Sequence, residues 1–458
     1  MIDSLRMSYH RWLDSSKQSV NRKIFSAMIT VGSLTFVAKI IATALHLVIA
    51  NQFGTNDEID AYIIAFLIPS LTINVLAGSL NAAFMPAFVQ AVETQGREKA
   101  QQLFSSVMVC SILIIAIVSA LLILIAPYII PILGSGFSSS KLELTRSLFY
   151  ILLPVLIFNG LATIWISILN AGEKFALAAV TPSVTPLAAI FFLITTARYW
   201  GIYSLALGTA IGFAFETLIL AWAIKRNKFS LIPRWHGRSP EIIQVMKQFL
   251  PMTVGALLMS STDFIDKAMA AMLDPGSVSA LNYGNKIVSF VLGVGAFGLG
   301  TAVFPHFSRM AAKQDWENIK HTLKSYVTLV VGLTVPFTAI FFFFSEPLVG
   351  LLFERGAFVS SDTQIVGKIQ AFYVLQIPFY IVGIIGVRLL SALAKNQILM
   401  TISAINVIAN VAGNYILIKF FGVSGISLST SIVYVISTSL ILISLYSLLK
   451  KRGAFATE

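Results

Sequence analysis

The stretch Leu103–Ile130 reads LFSSVMVCSILIIAIVSALLILIAPYII, which is 28 residues without a charged side chain. A helix needs about 20 mostly apolar residues to cross the hydrocarbon core of a bilayer. The stretch therefore predicts a transmembrane helix, and similar runs recur at Ile24–Ala50, Tyr326–Phe344 and Ile426–Leu449. Such long runs exclude a transmembrane β-barrel, whose strands are short and alternate between apolar and polar residues.

The composition of the whole chain agrees with these runs. Of 458 residues, 57% are hydrophobic and 11% are charged, whereas about a quarter of the residues are charged in an ordinary soluble domain. The single cysteine, Cys110, lies inside an apolar run and is interpreted as a packing residue. A disulfide framework and a cysteine metal cluster are therefore not expected.

Proline, glycine and charge clusters divide the chain into twelve predicted spans. They lie near 24–51, 60–90, 102–130, 143–170, 177–198, 201–224, 242–272, 277–308, 322–344, 363–393, 397–419 and 423–449. The predicted fold class is an all-α integral membrane protein with about 12 transmembrane helices.

Lysine and arginine alternate between the two sides of these spans, as the positive-inside rule requires. The side of the N-terminus carries 22 of them and the other side carries five. Both termini are thus predicted to be cytoplasmic, with residues 1–23 as a retained tail because the first apolar run is too long for a signal peptide. The net charge of +12 is then a topology signal and does not indicate a nucleic-acid partner.

Segments about 220 residues apart resemble each other. Asn81–Phe88 matches Thr301–Phe307, and Gly201–Ile211 matches Gly422–Ile432. Because each copy holds an even number of spans, the repeat predicts two parallel six-helix bundles around a central cavity, an arrangement that suits alternating access. The predicted units are an N-terminal tail (1–23), an N-terminal bundle (24–228), a cytoplasmic linker (229–241), a C-terminal bundle (242–449) and a C-terminal tail (450–458).

Charges deep inside spans are costly and are functional candidates. Lys39 lies some 15 residues into the first span and Lys286 about ten residues into the eighth. Both are predicted to face the cavity and to bind substrate. Since the deepest charges are positive, an anionic substrate such as a pyrophosphate is favoured over an organic cation.

Other polar residues within or beside the spans leave two interpretations open. Asp60, Glu216 and His46 are candidates for gating or coupling. The alternative for Asp60 is a surface carboxylate at the start of a helix, and the alternative for His46 is a packing role. Asp263 and Lys267 are interpreted as an i,i+4 ion pair near the outer end of a helix, and Arg388 as an anchor reaching the inner face. Lys368 is left between a cavity and a structural role.

Two motif-like strings carry no catalytic prediction. Gly293–Gly298 fits a dinucleotide fingerprint, but it lies within a span and lacks the strand that this motif needs. Asp263 and Asp266 have no partner motif that would indicate a metal site. We expect no metal, no cofactor and no enzyme activity.

Two stretches carry a family resemblance. Phe53-Gly54, followed by Asp60–Pro69 (DAYIIAFLIP) and Ala82–Phe88 (AAFMPAF), resembles the opening signature of the MurJ/MviN family. Leu351–Phe358 (LLFERGAF), followed by Asp362-Thr363, resembles an outer loop of that family. The resemblance covers essentially the whole chain. It implies the fold of the multidrug/oligosaccharidyl-lipid/polysaccharide exporter superfamily and the flipping of lipid II, the undecaprenyl-pyrophosphate-linked peptidoglycan precursor.

The match to the family's cavity residues is partial. Lys39 and Lys286 stand where the family has arginine, and Asp60 matches its acidic residue. Leu45 and Ile73-Asn74 stand at further arginine positions. Family members commonly carry two more C-terminal spans, whereas this chain ends after the twelfth predicted span.

The sequence therefore predicts a flippase in the bacterial inner membrane, with membrane lipid and an undecaprenyl-pyrophosphate-linked saccharide as partners and lipid II as the first candidate substrate. A cell-wall or polysaccharide assembly machinery is a further candidate partner. The alternatives are a flippase for an exopolysaccharide or O-antigen oligosaccharide, a cation-coupled small-molecule exporter, and a membrane scaffold.

Overall fold

A computed structural model describes residues 20–172 and 174–451, with side chains at 30–172, 174–293 and 307–450. Every regular element in these residues is helical. The predicted all-α fold class is therefore confirmed. The predicted tails fall outside the described residues, except that the first helix begins at Val20 and the last one ends at Lys451.

Nine helices form the N-terminal half of the chain (20–226). They are α1 (Val20–Phe53), α2 (Asp57–Thr72), α3 (Gly78–Gln95), α4 (Arg97–Leu133), α5 (Ser139–Leu152), α6 (Val155–Ala171), α7 (Phe175–Val180), α8 (Val184–Trp200) and α9 (Tyr203–Arg226). A π-helical turn, Ile73–Ala77, joins α2 to α3, and a 3₁₀ turn, Thr181–Ser183, joins α7 to α8.

Eight helices form the C-terminal half (240–451). They are α10 (Pro240–Ala270), α11 (Ser277–Ala312), α12 (Trp316–Phe343), α13 (Ser345–Phe353), α14 (Ser360–Val374), α15 (Ile377–Ala392), α16 (Asn396–Phe421) and α17 (Val423–Lys451).

The predicted spans coincide with these helices. Within the described residues, ten segments are long and apolar enough to cross a membrane, and the pair α5–α6, bent by 41°, makes eleven. The remaining predicted span, 277–308, coincides with α11, a helix of 36 residues. The side chains of 294–306 lie outside the described part of this helix.

Prolines mark several breaks within the predicted spans. Pro154 stands at the bend between α5 and α6, Pro182 lies in the 3₁₀ turn, and Pro378 follows the break between α14 and α15. Proline removes a backbone donor and clashes with the preceding turn, which ends or kinks a helix. Pro186, by contrast, lies inside the first turn of α8, where the missing donor has no intrahelical partner to lose.

The outer surface of the bundle is apolar. Leu124, Phe191 and Leu218 expose 69%, 63% and 63% of their surface. Large apolar side chains are exposed on this scale where lipid is the solvent, because lipid removes the penalty of contact with water.

The start of α10 packs against the N-terminal half. Ile242 and Val245 belong to a hydrophobic cluster otherwise formed by helices of that half and its flanking loop, while later turns of α10 pack on α16. The segment before α10 is bound to α4 as well, because Ser105 Oγ donates to the carbonyl of Ile232 at 2.8 Å and accepts from the amide of Arg234 at 3.1 Å. α10 therefore links the two halves mechanically.

Candidate functional site

The ammonium group of Lys39 on α1 lies against α11. A Cβ atom placed on Gly293 would come within 2.8 Å of Lys39 Nζ. Glycine thus leaves room at this position for a cation from the opposite half of the chain. We call the facing surfaces of the two helices around Lys39, His46, Lys286 and Gly293 the α1–α11 seam.

Lys286 lies on the same face of α11 as Gly293, since the two residues are seven positions, or about two turns, apart. At the helical rise this spacing is roughly 10 Å. Among the described residues, neither Lys39 nor Lys286 forms an ion pair or a side-chain hydrogen bond through its ammonium group. The two predicted substrate-binding cations therefore come from different halves and line one seam.

His46 is the third predicted site residue in the seam. It follows Lys39 by seven residues on α1, and its imidazole lies near enough to Lys286 and Lys267 for their charges to act on it. Lys39 beside Gly293 and His46 near Lys286 mean that α1 and α11 run antiparallel along this seam. The predicted packing role of His46 stays open, but its place beside a candidate binding cation favours the functional interpretation.

A polar cavity of about 190 Å³ opens beside Lys286. It is lined by Asp263, Lys267, Leu281, Asn282, Asn285, Lys286, Ser289 and Tyr373. Lys267 Nζ lies 2.7 Å from Asp263 Oδ2, so the predicted i,i+4 ion pair forms. Because the pair lines the same cavity as Lys286, it also supplies that cavity with exposed hydrogen-bonding groups.

Asp60 is 1% exposed and lies between the two halves. Its carboxylate accepts the backbone amide of Gly276, the N-cap residue of α11, at 2.8 Å and that of Ser279, in the first turn of α11, at 2.7 Å. It also accepts the ammonium of Lys141 at 3.0 Å. Asp60 does lie in the first turn of α2, but it is buried, so its interpretation as a surface carboxylate is wrong. A carboxylate from one half instead caps a helix of the other half, where the helix dipole favours negative charge.

Further contacts close the same end of the molecule, which is the side predicted to face outward. The amide of Ala357 donates to the carbonyl of Asn51 at 2.9 Å, Tyr283 Oη donates to the carbonyl of Gly54 at 3.2 Å, and Thr55 donates to Asp362. We call these contacts, together with those of Asp60, the outer seal. The two stretches that carry the family resemblance meet in it.

Glu216 lies elsewhere, inside the N-terminal half. It is 4% exposed and accepts a hydrogen bond from Thr185 Oγ1 at 2.8 Å, which joins α9 to α8. Glu216 is not among the residues that line the cavity beside Lys286. Glu216 was predicted as a gating or coupling candidate together with Asp60 and His46, but the structure places it neither at the outer seal nor among the described residues of the α1–α11 seam.

Two cations of the C-terminal half occupy different surroundings. Arg388 is exposed and lines a second cavity, of about 510 Å³, formed by α10, α15, α16 and α17. Lys368 lies with its ammonium 5.9 Å from the ring centre of Phe421. A cation over an aromatic face is a common packing contact, which favours the structural interpretation of Lys368.

Sequence reasoning missed a buried polar cluster around Asp266. Its carboxylate, on α10, accepts from Asn410 at 2.9 Å and Asn414 at 2.7 Å on α16, and from Thr430 at 2.8 Å on α17. The side-chain oxygens of both asparagines are buried and lack a partner within the described residues. The i,i+4 asparagine pair in an apolar span was the signal that could have revealed this cluster.

Comparisons with known proteins identify the family of the chain. The profile of the family described as "Lipid II flippase MurJ" matches residues 49–458. A protein of Buchnera aphidicola subsp. Schizaphis graminum named "Probable lipid II flippase MurJ" is 28% identical over 428 residues, covering 92% of this chain and 83% of the relative.

Solved structures share the fold. One described as lipid II flippase MurJ in an inward closed conformation has a TM-score of 0.79 at 26% identity, covering 91% of this chain and 87% of that one. An inward-facing multidrug resistance transporter of the MATE family has a TM-score of 0.76 at 14% identity, covering 94% of this chain and 100% of that one, which shows the fold alone. Because the family profile covers nearly the whole sequence, the chain belongs to the MurJ family of lipid II flippases.

Proposed function

We propose that this protein moves lipid II from the cytoplasmic to the outer leaflet of the bacterial inner membrane by alternating access. The observation that carries the proposal is the pair of ammonium groups of Lys39 and Lys286, which form no ion pair within the described residues and lie in the α1–α11 seam of a chain that belongs to this family. A pyrophosphate is the anionic part of the substrate class, and cations within a span attract it where water is scarce.

Lys39 and Lys286 belong to different halves, and this division gives the substrate a mechanical role. A pyrophosphate bound to both ammonium groups bridges the halves and stabilises the conformation in which both cations reach it. A ligand shifts a conformational equilibrium when it binds one conformation more tightly than the other. The saccharide then occupies the polar cavity lined by Asn285 and Ser289, while the polyprenyl tail stays in lipid.

The proposed orientation places both termini in the cytoplasm, so that the outer seal faces away from the cytoplasm. The proposed units are the bundles 24–228 and 242–449 joined by the linker 229–241, with tails at 1–23 and 450–458. The excess of lysine and arginine on the side of the N-terminus supports this orientation. Membrane lipid and the lipid-linked saccharide are the proposed partners.

A second candidate substrate is an exopolysaccharide or O-antigen oligosaccharide on the same lipid carrier. The observation that favours it is the loss of charge at three positions where the family resemblance implies arginine. Leu45 packs against the hydrophobic core, Ile73 is buried and Asn74 is exposed. Lysine at 39 and 286 also keeps the charge of arginine but loses its bidentate geometry toward phosphate.

The test is head-group translocation in cells depleted of their own flippases. Labelled lipid II and an unrelated undecaprenyl-pyrophosphate oligosaccharide are supplied in parallel to cells with and without the protein. Movement of lipid II supports the proposal. Movement of the other lipid alone would instead indicate a flippase for polysaccharide export.

Variants separate the remaining function classes. A cation-coupled small-molecule exporter predicts that neutralising Asp60 or Glu216 abolishes transport while alanine is tolerated at Lys39 and Lys286. A scaffold predicts that all of these substitutions leave function intact. Movement of neither lipid would leave the chain with the family fold but without the proposed activity.

A further inference from the structure

Lys141, the third residue of α5, is a buried cation at the outer seal. Its side chain is 6% exposed, and its ammonium lies 2.6 Å from Asp57 Oδ1 and 3.0 Å from Asp60 Oδ2. The same ammonium stands 3.8 Å from the ring centre of Phe137. All four residues belong to the N-terminal half, so these contacts do not depend on the position of the other half.

Asp60 has two kinds of partner at the seal. The amides of Gly276 and Ser279 come from the C-terminal half, whereas the ammonium of Lys141 comes from its own half. When the halves separate at this end, the carboxylate loses two amide donors and the favourable field of the α11 N-terminus. Among the described residues, Lys141 is then the donor that remains beside Asp60.

The neighbouring charges show why a partner is needed. Asp57, at 54% side-chain exposure, can be hydrated, but Asp60 is almost fully buried in the closed seal. Asp362 lies across the seal and adds negative charge on that side, where it accepts from Thr55. As the seal opens, Asp362 moves away with the C-terminal half, but Asp60 without a nearby cation would still face the carboxylate of Asp57, and like charges disfavour such an arrangement.

We propose that Lys141 is a positioning residue for the outer seal: it holds the Asp60 carboxylate in place after α11 has moved away, and so sets how readily the seal opens. The inference rests on the proposed alternating access. Removing Lys141 takes the cation from Asp60 in both states, but the closed state keeps the two amide donors whereas the open state keeps no described protein donor, so the equilibrium shifts toward the closed seal.

The experiment measures seal opening directly and needs no lipid substrate. Cys110→Ser removes the natural thiol, and Ser289→Cys places a thiol in the cavity beside Lys286. A membrane-impermeant maleimide added from outside reaches this thiol when the seal is open. The labelling rate in intact cells therefore reports the open fraction, and a permeant maleimide measures the total amount of folded, accessible protein.

The parent for these measurements is Cys110→Ser/Ser289→Cys. We expect Lys141→Met to slow its outside labelling by about tenfold, in the usual range of coupling between sites. Lys141→Arg should be labelled at a rate near that of the parent. Lys419→Met is the matched control, since Lys419 is an exposed lysine near the same face that contacts a ring, Tyr415, at 4.2 Å. Unchanged or faster labelling of Lys141→Met would overturn the inference.

A double variant excludes a purely structural role. If Lys141 only screens Asp57 from Asp60, then Lys141→Met/Asp57→Asn restores the parent rate, and the inference is overturned. If Lys141 holds Asp60 in the open state, the double variant stays slow. A parent that is never labelled from outside would overturn the proposed alternating access itself, whereas a labelled parent insensitive to Lys141 overturns the inference alone.

Discussion

Lys39 of the N-terminal half places its ammonium against Gly293 of the C-terminal half, where even a methyl group would come within 2.8 Å of the nitrogen. The contact fixes a cation at the boundary that must open and close if the two halves rock against each other. Small residues at helix interfaces allow such close approach in membranes.

Gly293→Ala is expected to displace the Lys39 ammonium without unfolding the protein, because the displaced atom is the end of a flexible side chain. Head-group translocation should fall about tenfold or more, since misplacing a binding group by an ångström is costly. Gly332→Ala is the control, as nothing lies within 4 Å of a Cβ there. Equal activity of the two variants in a flipping assay would show that the Lys39 position is unimportant.

Asp60→Asn is expected to loosen the outer seal. The amide offers one acceptor oxygen for the two backbone donors of α11 and turns an NH₂ group toward the other, which leaves a buried donor unsatisfied. Outside labelling of Ser289→Cys should rise about tenfold, opposite in direction to Lys141→Met. Asp57→Asn is the matched control, because Asp57 is half exposed and its described contact is to Lys141 of its own half. Similar effects of both variants would contradict the capping role of Asp60.

Asp266→Ala is expected to lower the free energy of unfolding by about 2–4 kcal/mol. The substitution removes the acceptor of three donors and leaves the buried amide groups of Asn410 and Asn414 without their described partner, whereas Thr430 keeps its hydrogen bond to the carbonyl of Ile426. Thermal unfolding in detergent measures the change. Asp263→Ala, on the same helix but with an exposed carboxylate, should cost far less. Equal shifts would mean that the Asp266 cluster does not stabilise the bundle.

The spans were predictable because length and charge alternation are local properties of the sequence. Their ends differ from the helices by a few residues, chiefly where capping residues such as Asn56, Ser138 and Ser239 accept an amide of the first turn. The cations of the seam were predictable as well, since a lysine deep in an apolar run is unusual wherever it occurs.

Partners distant in sequence were not predictable. The backbone amides bound to Asp60 lie 216 and 219 residues further along the chain, and the side-chain donors bound to Asp266 lie 144 to 164 residues away. Burial of either carboxylate depends on these tertiary contacts, which no local pattern shows. His46 is an intermediate case, because its seven-residue spacing from Lys39 already places both side chains on one face of α1.

The central claim is that Lys39 and Lys286 together hold the anionic head group during its transfer. The most direct measurement is lipid II translocation by purified protein in proteoliposomes, comparing the parent with Lys39→Met, Lys286→Met and the matched control Lys267→Met, whose ammonium is already paired with Asp263. We predict that each seam variant loses most of the activity, that arginine at either position retains it, and that Lys267→Met keeps a substantial part. Full activity of Lys39→Met/Lys286→Met in well-folded protein would contradict the account.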